Sequence, residues 1–122
     1  MILGIVVGLV AGLGAVARYV TDQVVQHQHD SVFPFGTFSV NVFGSLLLGL
    51  ITGLAVHHGL PTHLTVVLSA GFCSGFTTWS TYAYESLALA EAGALLESVG
   101  NIVGSLAVGL AAGAAGFGLA LL

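Results

Sequence analysis

Uncharged polar side chains recur inside the most apolar stretches of this chain. Thr37, Asn41 and Ser45 follow one another every four residues, so on a helix they share one face. Asn101 and Ser105 repeat that spacing nearer the end. Between these stripes lies Gly71–Tyr82, which reads Gly-Phe-Cys-Ser-Gly-Phe-Thr-Thr-Trp-Ser-Thr-Tyr and carries Ser74, Thr77, Thr78, Ser80 and Thr81. Hydroxyls and amides can replace water around a small anion without trapping it as a lysine would. Conduction needs that balance, because binding must be favourable enough to enter and weak enough to leave. Trp79 and Tyr82, three residues apart, add electropositive ring edges along one side. For any single Ser or Thr the simpler reading is an interhelical hydrogen bond, at about 0.6 kcal/mol. For Asn41, permeation and packing stand level.

Charged residues are few. Arg18 is the one basic residue, and Asp22 lies four positions on, so the two could form an i,i+4 pair at a helix end. Alternatively, Arg18 draws anions into a vestibule by its field alone. Glu85 is the one carboxylate near the middle of a polar span, and its partner cannot be named from sequence. With five carboxylates against one arginine, formally −4, there is no basic patch for nucleic acid. The single cysteine, Cys73, excludes an internal disulfide and a cysteine-rich metal site, and reads as a small buried residue. His27, His29, His57, His58 and His63 all fall in loops or at span ends, where facing axial ligands for a haem cannot be built.

The elements that carry these residues must cross a membrane. Of the 122 residues 57% are hydrophobic and 5% charged, against about 25% charged in a soluble domain. Four apolar runs are expected to form one all-α transmembrane domain, with approximate spans 2–25, 35–56, 62–89 and 98–122. Each is long enough for the roughly 20 residues that cross about 30 Å of hydrocarbon. The opening residues lack the basic segment of a secretory signal, so the first run reads as a span that stays. Span three should break at Gly71–Tyr82, because glycine gives up backbone order readily and hydroxyls compete for backbone groups. Broken backbone at membrane depth is tolerated only where protein buries it or it lines a cavity. Gly4, Gly8 and Gly12 recur every four residues, as do the pairs Gly49/Gly53, Gly71/Gly75, Gly100/Gly104 and Gly109/Gly113. That spacing suits close helix packing. An oligomer is expected, since four short helices leave little room for a site. With one basic residue, the loop-charge bias that sets orientation is nearly absent.

Three motifs, in order and spacing, resemble the CrcB/Fluc family of fluoride channels across essentially the whole chain. They are Gly12-Leu13-Gly14-Ala15-Val16-Ala17-Arg18-Tyr19, Gly36-Thr37-Phe38-Ser39-Val40-Asn41-Val42-Phe43-Gly44, and the Gly71–Tyr82 stretch. The resemblance implies an antiparallel, dual-topology dimer with two fluoride pores and a central structural sodium ion. Backbone carbonyls at the positions of Ser74 and Thr77, with Gly75 and Thr78 adjacent, would hold the sodium. The family asparagine matches Asn41, the vestibule residue matches Arg18, and the pore aromatics match Trp79 and Tyr82. Thr37, Thr81, Asn101 and Ser105 fall along the same polar pathway. This chain departs from the pattern in having Trp and Tyr where phenylalanine is usual, Ser74-Gly75 for Gly-Gly, and Gly109 where another hydroxyl is expected.

The function expected on this basis is a passive fluoride channel in the plasma membrane, not an enzyme. It would export fluoride left behind when HF enters and dissociates. One alternative is a subunit of a heterodimer, in which one member's own pore has degenerated. A small multidrug-type transporter is the more distant rival, because it needs a carboxylate within the first span and none precedes Asp22.

Overall fold

The computed structural model describes residues 1–122 and is entirely helical apart from turns. Helix α1 spans Ile2–His27 and α2 spans Phe35–His58. Pro34 sets the entry to α2. Gly59, at φ +66°, ends it in the left-handed conformation that a side chain would resist, and its N–H returns to the Leu54 carbonyl. The third run is built in pieces: α3 (Thr62–Val66), a π-helical stretch (Val67–Cys73), α4 (Ser74–Phe76), then α5 (Trp79–Glu91). After Gly93, at φ +84°, α6 runs from Leu95 to Leu119. Helices α1, α2 and α6 are each long and apolar enough to cross a membrane.

The third run is interrupted where the glycine and hydroxyl residues crowd. Thr77 (φ −84°, ψ 161°) and Thr78 (φ −147°, ψ 121°) are extended between two helical pieces. The π-helical stretch before them is a second irregularity, with hydrogen bonds one residue longer than in an α-helix. The last run starts three residues earlier than the sequence suggests. Gly93 turns the chain so sharply that α6 begins at once, and Glu97 falls in its first turn, where the helix dipole favours an acid.

Two seams of several glycines each hold the helices together by backbone contact, and single glycines, Gly36 on Asp22 and Gly44 on Thr77, close α2 on α1 and on the break. On the first, α1 lies against the π-helical stretch and α4. A methyl at Gly14 would strike the Phe72 carbonyl, one at Gly75 the Ala11 carbonyl, and one at Gly71 would press on Val7 and Val10. On the second, α2 lies against α6. Gly49 faces Gly113, Gly53 faces Phe117 and Ala120, and Gly116 faces the Leu46 carbonyl. The regular series in α1 does not take part. Gly4, Gly8 and Gly12 meet nothing within 4 Å, and the out-of-series Gly14 makes the contact instead. Spacing by four marks a ridge but not which way the ridge points. Helix α5 contains no glycine and is held differently.

Candidate functional site

The break exposes peptide groups that a continuous helix would pair internally, and Asn41 of α2 takes them up. Its Nδ2 donates to the Thr78 carbonyl at 2.8 Å, and its Oδ1 accepts the Thr78 N–H, also at 2.8 Å. One amide thus closes on the two peptides that flank Thr78, and one Nδ2 hydrogen remains for another acceptor. Ser45, one turn on, donates to the Asn41 carbonyl at 2.8 Å. Thr78 then caps α5: its hydroxyl oxygen accepts the Thr81 N–H at 3.2 Å, and its O–H donates to the Thr81 hydroxyl at 3.0 Å. The start of α5 carries the positive end of a helix dipole, which favours an anion.

A cavity of about 390 Å³ opens beside the break. Asn41, Ser45, Ser74, Thr77, Thr78, Trp79, Tyr82 and Ser105 line it together with Leu48, Cys73 and Leu106, so its wall is mostly apolar, and no charged side chain reaches it. The Trp79 and Tyr82 rings stand 5.0 Å apart, tilted by 48°. Tyr82 is buried, whereas Trp79 is 72% exposed. A second cavity of about 200 Å³ is lined by Arg18, Tyr19, Asp22, Thr37, Val40, Thr78 and Thr81. Thr78 is common to both, so the break separates a charged compartment from an uncharged one. Arg18 reaches across to the Thr77 carbonyl at 3.5 Å rather than pairing with Asp22.

The structure thus brings most of the expected residues together, in two groups. Asn101 joins neither. It is completely buried, its Nδ2 donates to Ser86 Oγ at 2.8 Å, and Ser105, on the cavity wall, donates to its Oδ1 at 3.3 Å. Gly75 is packed against α1. The partner of Glu85 is Thr37, whose hydroxyl donates to its carboxylate. Sequence reasoning missed Ser86 and Ser98, which are bonded to each other across the α5–α6 turn. No spacing within either helix signals that contact. It also missed that Asn41 binds the backbone of the break.

The carbonyls of Ser74 and Thr77 are suited to a hard cation. The Thr78 N–H, which a continuous helix would donate to the Ser74 carbonyl, goes to Asn41 instead. The Thr77 carbonyl ends a helical piece and receives only the long contact from Arg18 among side chains.

Comparison with known proteins gives a consistent result. Residues 5–117 match the model of the family described as CrcB-like protein, Camphor Resistance (CrcB). A protein of Streptomyces avermitilis named fluoride-specific ion channel FluC 1 is 49% identical over 106 residues, covering 87% of this chain and 86% of that protein. The FluC 1 protein of Frankia casuarinae is 44% identical over 115 residues, covering 90% and 89%. The protein of Rhodococcus jostii named fluoride-specific ion channel FluC 2 is 43% identical over 115 residues, covering 94% and 96%. With this likeness over its length and three helices able to span a bilayer, the chain is a multi-pass membrane protein that belongs to the CrcB-like family.

Proposed function

We propose that the chain forms a fluoride-selective channel through which the ion leaves the cytoplasm down its gradient. The observation that carries this reading is the uncharged cavity at a helix break, largely apolar but edged by the Asn41 amide and several hydroxyls, in a chain whose relatives at 43–49% identity are named fluoride-specific ion channels. Fluoride is small and strongly hydrated, so its water must be replaced by donors that release it again. Arg18 would gather the anion in the smaller cavity. The spare Asn41 N–H, the Thr81 hydroxyl and the ring edges of Trp79 and Tyr82 would then pass it on, joined by the hydroxyls of Thr37 and Ser105 once they turn from Glu85 and Asn101. Asn101 would act behind Ser105.

Two copies in opposite orientations would complete the pathway. Trp79 lines the cavity yet is 72% exposed, which leaves that side of the cavity open for a second copy to cover. A sodium ion would sit on the carbonyls of Ser74 and Thr77. One chain's two oxygens fall short of the roughly six a hard cation takes, and the same pair from a second copy would raise the number to four. When bound, the ion would supply a fixed positive charge that ties the breaks together. A heterodimer with a second family member is the alternative, favoured by Trp79 and Tyr82 standing where phenylalanine is usual.

The test is to purify this chain alone, reconstitute it in liposomes and follow efflux with a fluoride electrode, using chloride as control. Rapid efflux of fluoride but not chloride is expected. A well-folded protein that passes no fluoride would overturn the self-sufficient channel, and co-reconstitution with a second family member would then decide the heterodimer.

A further inference from the structure

Helix α5 carries both pore aromatics of the proposed channel, yet neither glycine seam reaches it. Its fixed points are side-chain hydrogen bonds: Asn41 at its cap, Thr37 on Glu85, and a buried cluster from α6. The cluster centres on Ser86. Its hydroxyl donates to the Tyr82 carbonyl at 2.8 Å and accepts from Asn101 Nδ2 at 2.8 Å, while its own carbonyl accepts from Ser98 Oγ at 2.7 Å. Ser86, Ser98 and Asn101 are all buried, and no buried side-chain polar atom in the chain lacks a partner. A hydroxyl bonded to the carbonyl one turn back is commonplace, and Ser45, Thr52, Thr65, Ser69 and Thr77 all do the same. Only at Ser86 is that hydroxyl also gripped by a side chain from another helix.

We propose that Ser86, clamped by Ser98 and Asn101, is a positioning residue that sets the height and rotation of α5 and so places the Trp79–Tyr82 pair, carried on that one helix, at the cavity. The bonds run in one direction, from the Ser105 hydroxyl on the cavity wall to Asn101, from Asn101 to Ser86, and from Ser86 to the Tyr82 backbone. The clamp therefore ties the α6 wall of the cavity to the aromatic on α5. Its consequence for ion flow rests on the channel reading above, whereas its consequence for ring placement does not.

Trp79 is the only tryptophan and stands on the cavity wall with residues of α2 and α6, so its fluorescence reports where α5 places it. Purified Ser86→Ala should shift the Trp79 emission and lower fluoride efflux from liposomes by about threefold or more, the worth of one interhelical bond. Ser86→Thr, which keeps the hydroxyl, should restore both. Ser98→Ala removes only the bond to the Ser86 carbonyl, should give a smaller shift in emission, and carries the test if Ser86→Ala does not fold. Emission unchanged in the alanine variants, or equally disturbed in Ser86→Ala and Ser86→Thr, would overturn the clamp. Should the wild-type chain pass no fluoride, the channel reading fails while the emission shift and its rescue still decide the clamp.

Discussion

Asn41 shows how one side chain can serve structure and passage together. Both of its polar atoms are bonded to the backbone of Thr78, one to the N–H and one to the carbonyl, so the residue stabilises the break before it meets any ion. Replacing it with aspartate puts a second oxygen against the Thr78 carbonyl, where repulsion replaces a bond. Leaving a buried group unpaired costs about 1–3 kcal/mol, so Asn41→Asp is expected to reduce fluoride efflux by about tenfold or more in the liposome assay. An unchanged rate would remove Asn41 from the pathway. Arg18 acts differently, through its field in the smaller cavity. Arg18→Gln should slow efflux most at low ionic strength, and the gap from wild type should narrow as salt shortens the screening length toward about 8 Å. A deficit that stayed constant with salt would point to the contact with Thr77 as its whole role.

At the scale of the elements, the hydroxyl stripes and the crowded stretch in the third run were legible, because residue type and spacing carry them. Thr37, Asn41 and Ser45 do lie along α2, and the run does open at Thr77 and Thr78. What could not be read was the direction each stripe faces. Gly4, Gly8 and Gly12 form the most regular glycine ridge in the chain and touch nothing within it, while Gly14, in no series, packs on Phe72. The partnership of Ser86 with Ser98 and Asn101 depends on how the Gly93 turn lays α6 along α5, which no single-helix pattern encodes. The distinction between ridges is testable by stability. Gly75→Ala drives a methyl into the Ala11 carbonyl and should cost about 1–3 kcal/mol of resistance to denaturation in detergent. Gly4→Ala meets open space and should change it by no more than about 0.5 kcal/mol. Equal effects would mean that the α1 seam lies elsewhere.

For the whole molecule, the scarcity of basic residues governs how the chain enters the bilayer. Orientation follows lysine and arginine near span ends, and Arg18 alone gives that signal almost nothing to act on. Insertion both ways is what the proposed antiparallel pair requires. Gln26 and Gln28 lie at the end of α1 and just beyond it, so lysines at both positions should draw that end to the cytoplasmic side in nearly every copy. Site-directed labelling from each face should then find one orientation, and fluoride efflux should fall as opposed partners vanish. Undiminished efflux from a uniformly oriented population would sink the antiparallel arrangement.

The two glycine seams also describe how the molecule comes apart. Each is a weld of backbone on backbone, one joining α1 to the front of the third run and the other joining α2 to α6. These two pieces meet where Gly36 packs on Asp22 and Gly44 on Thr77, and α5 is pinned across the cavity by directional bonds from Asn41, Thr37 and the Ser86 cluster. Such a body has a grain, like split timber. Under mechanical or thermal load it should cleave along the pinned line and leave each welded pair intact. The plane of least resistance is then the plane along which the ion would travel.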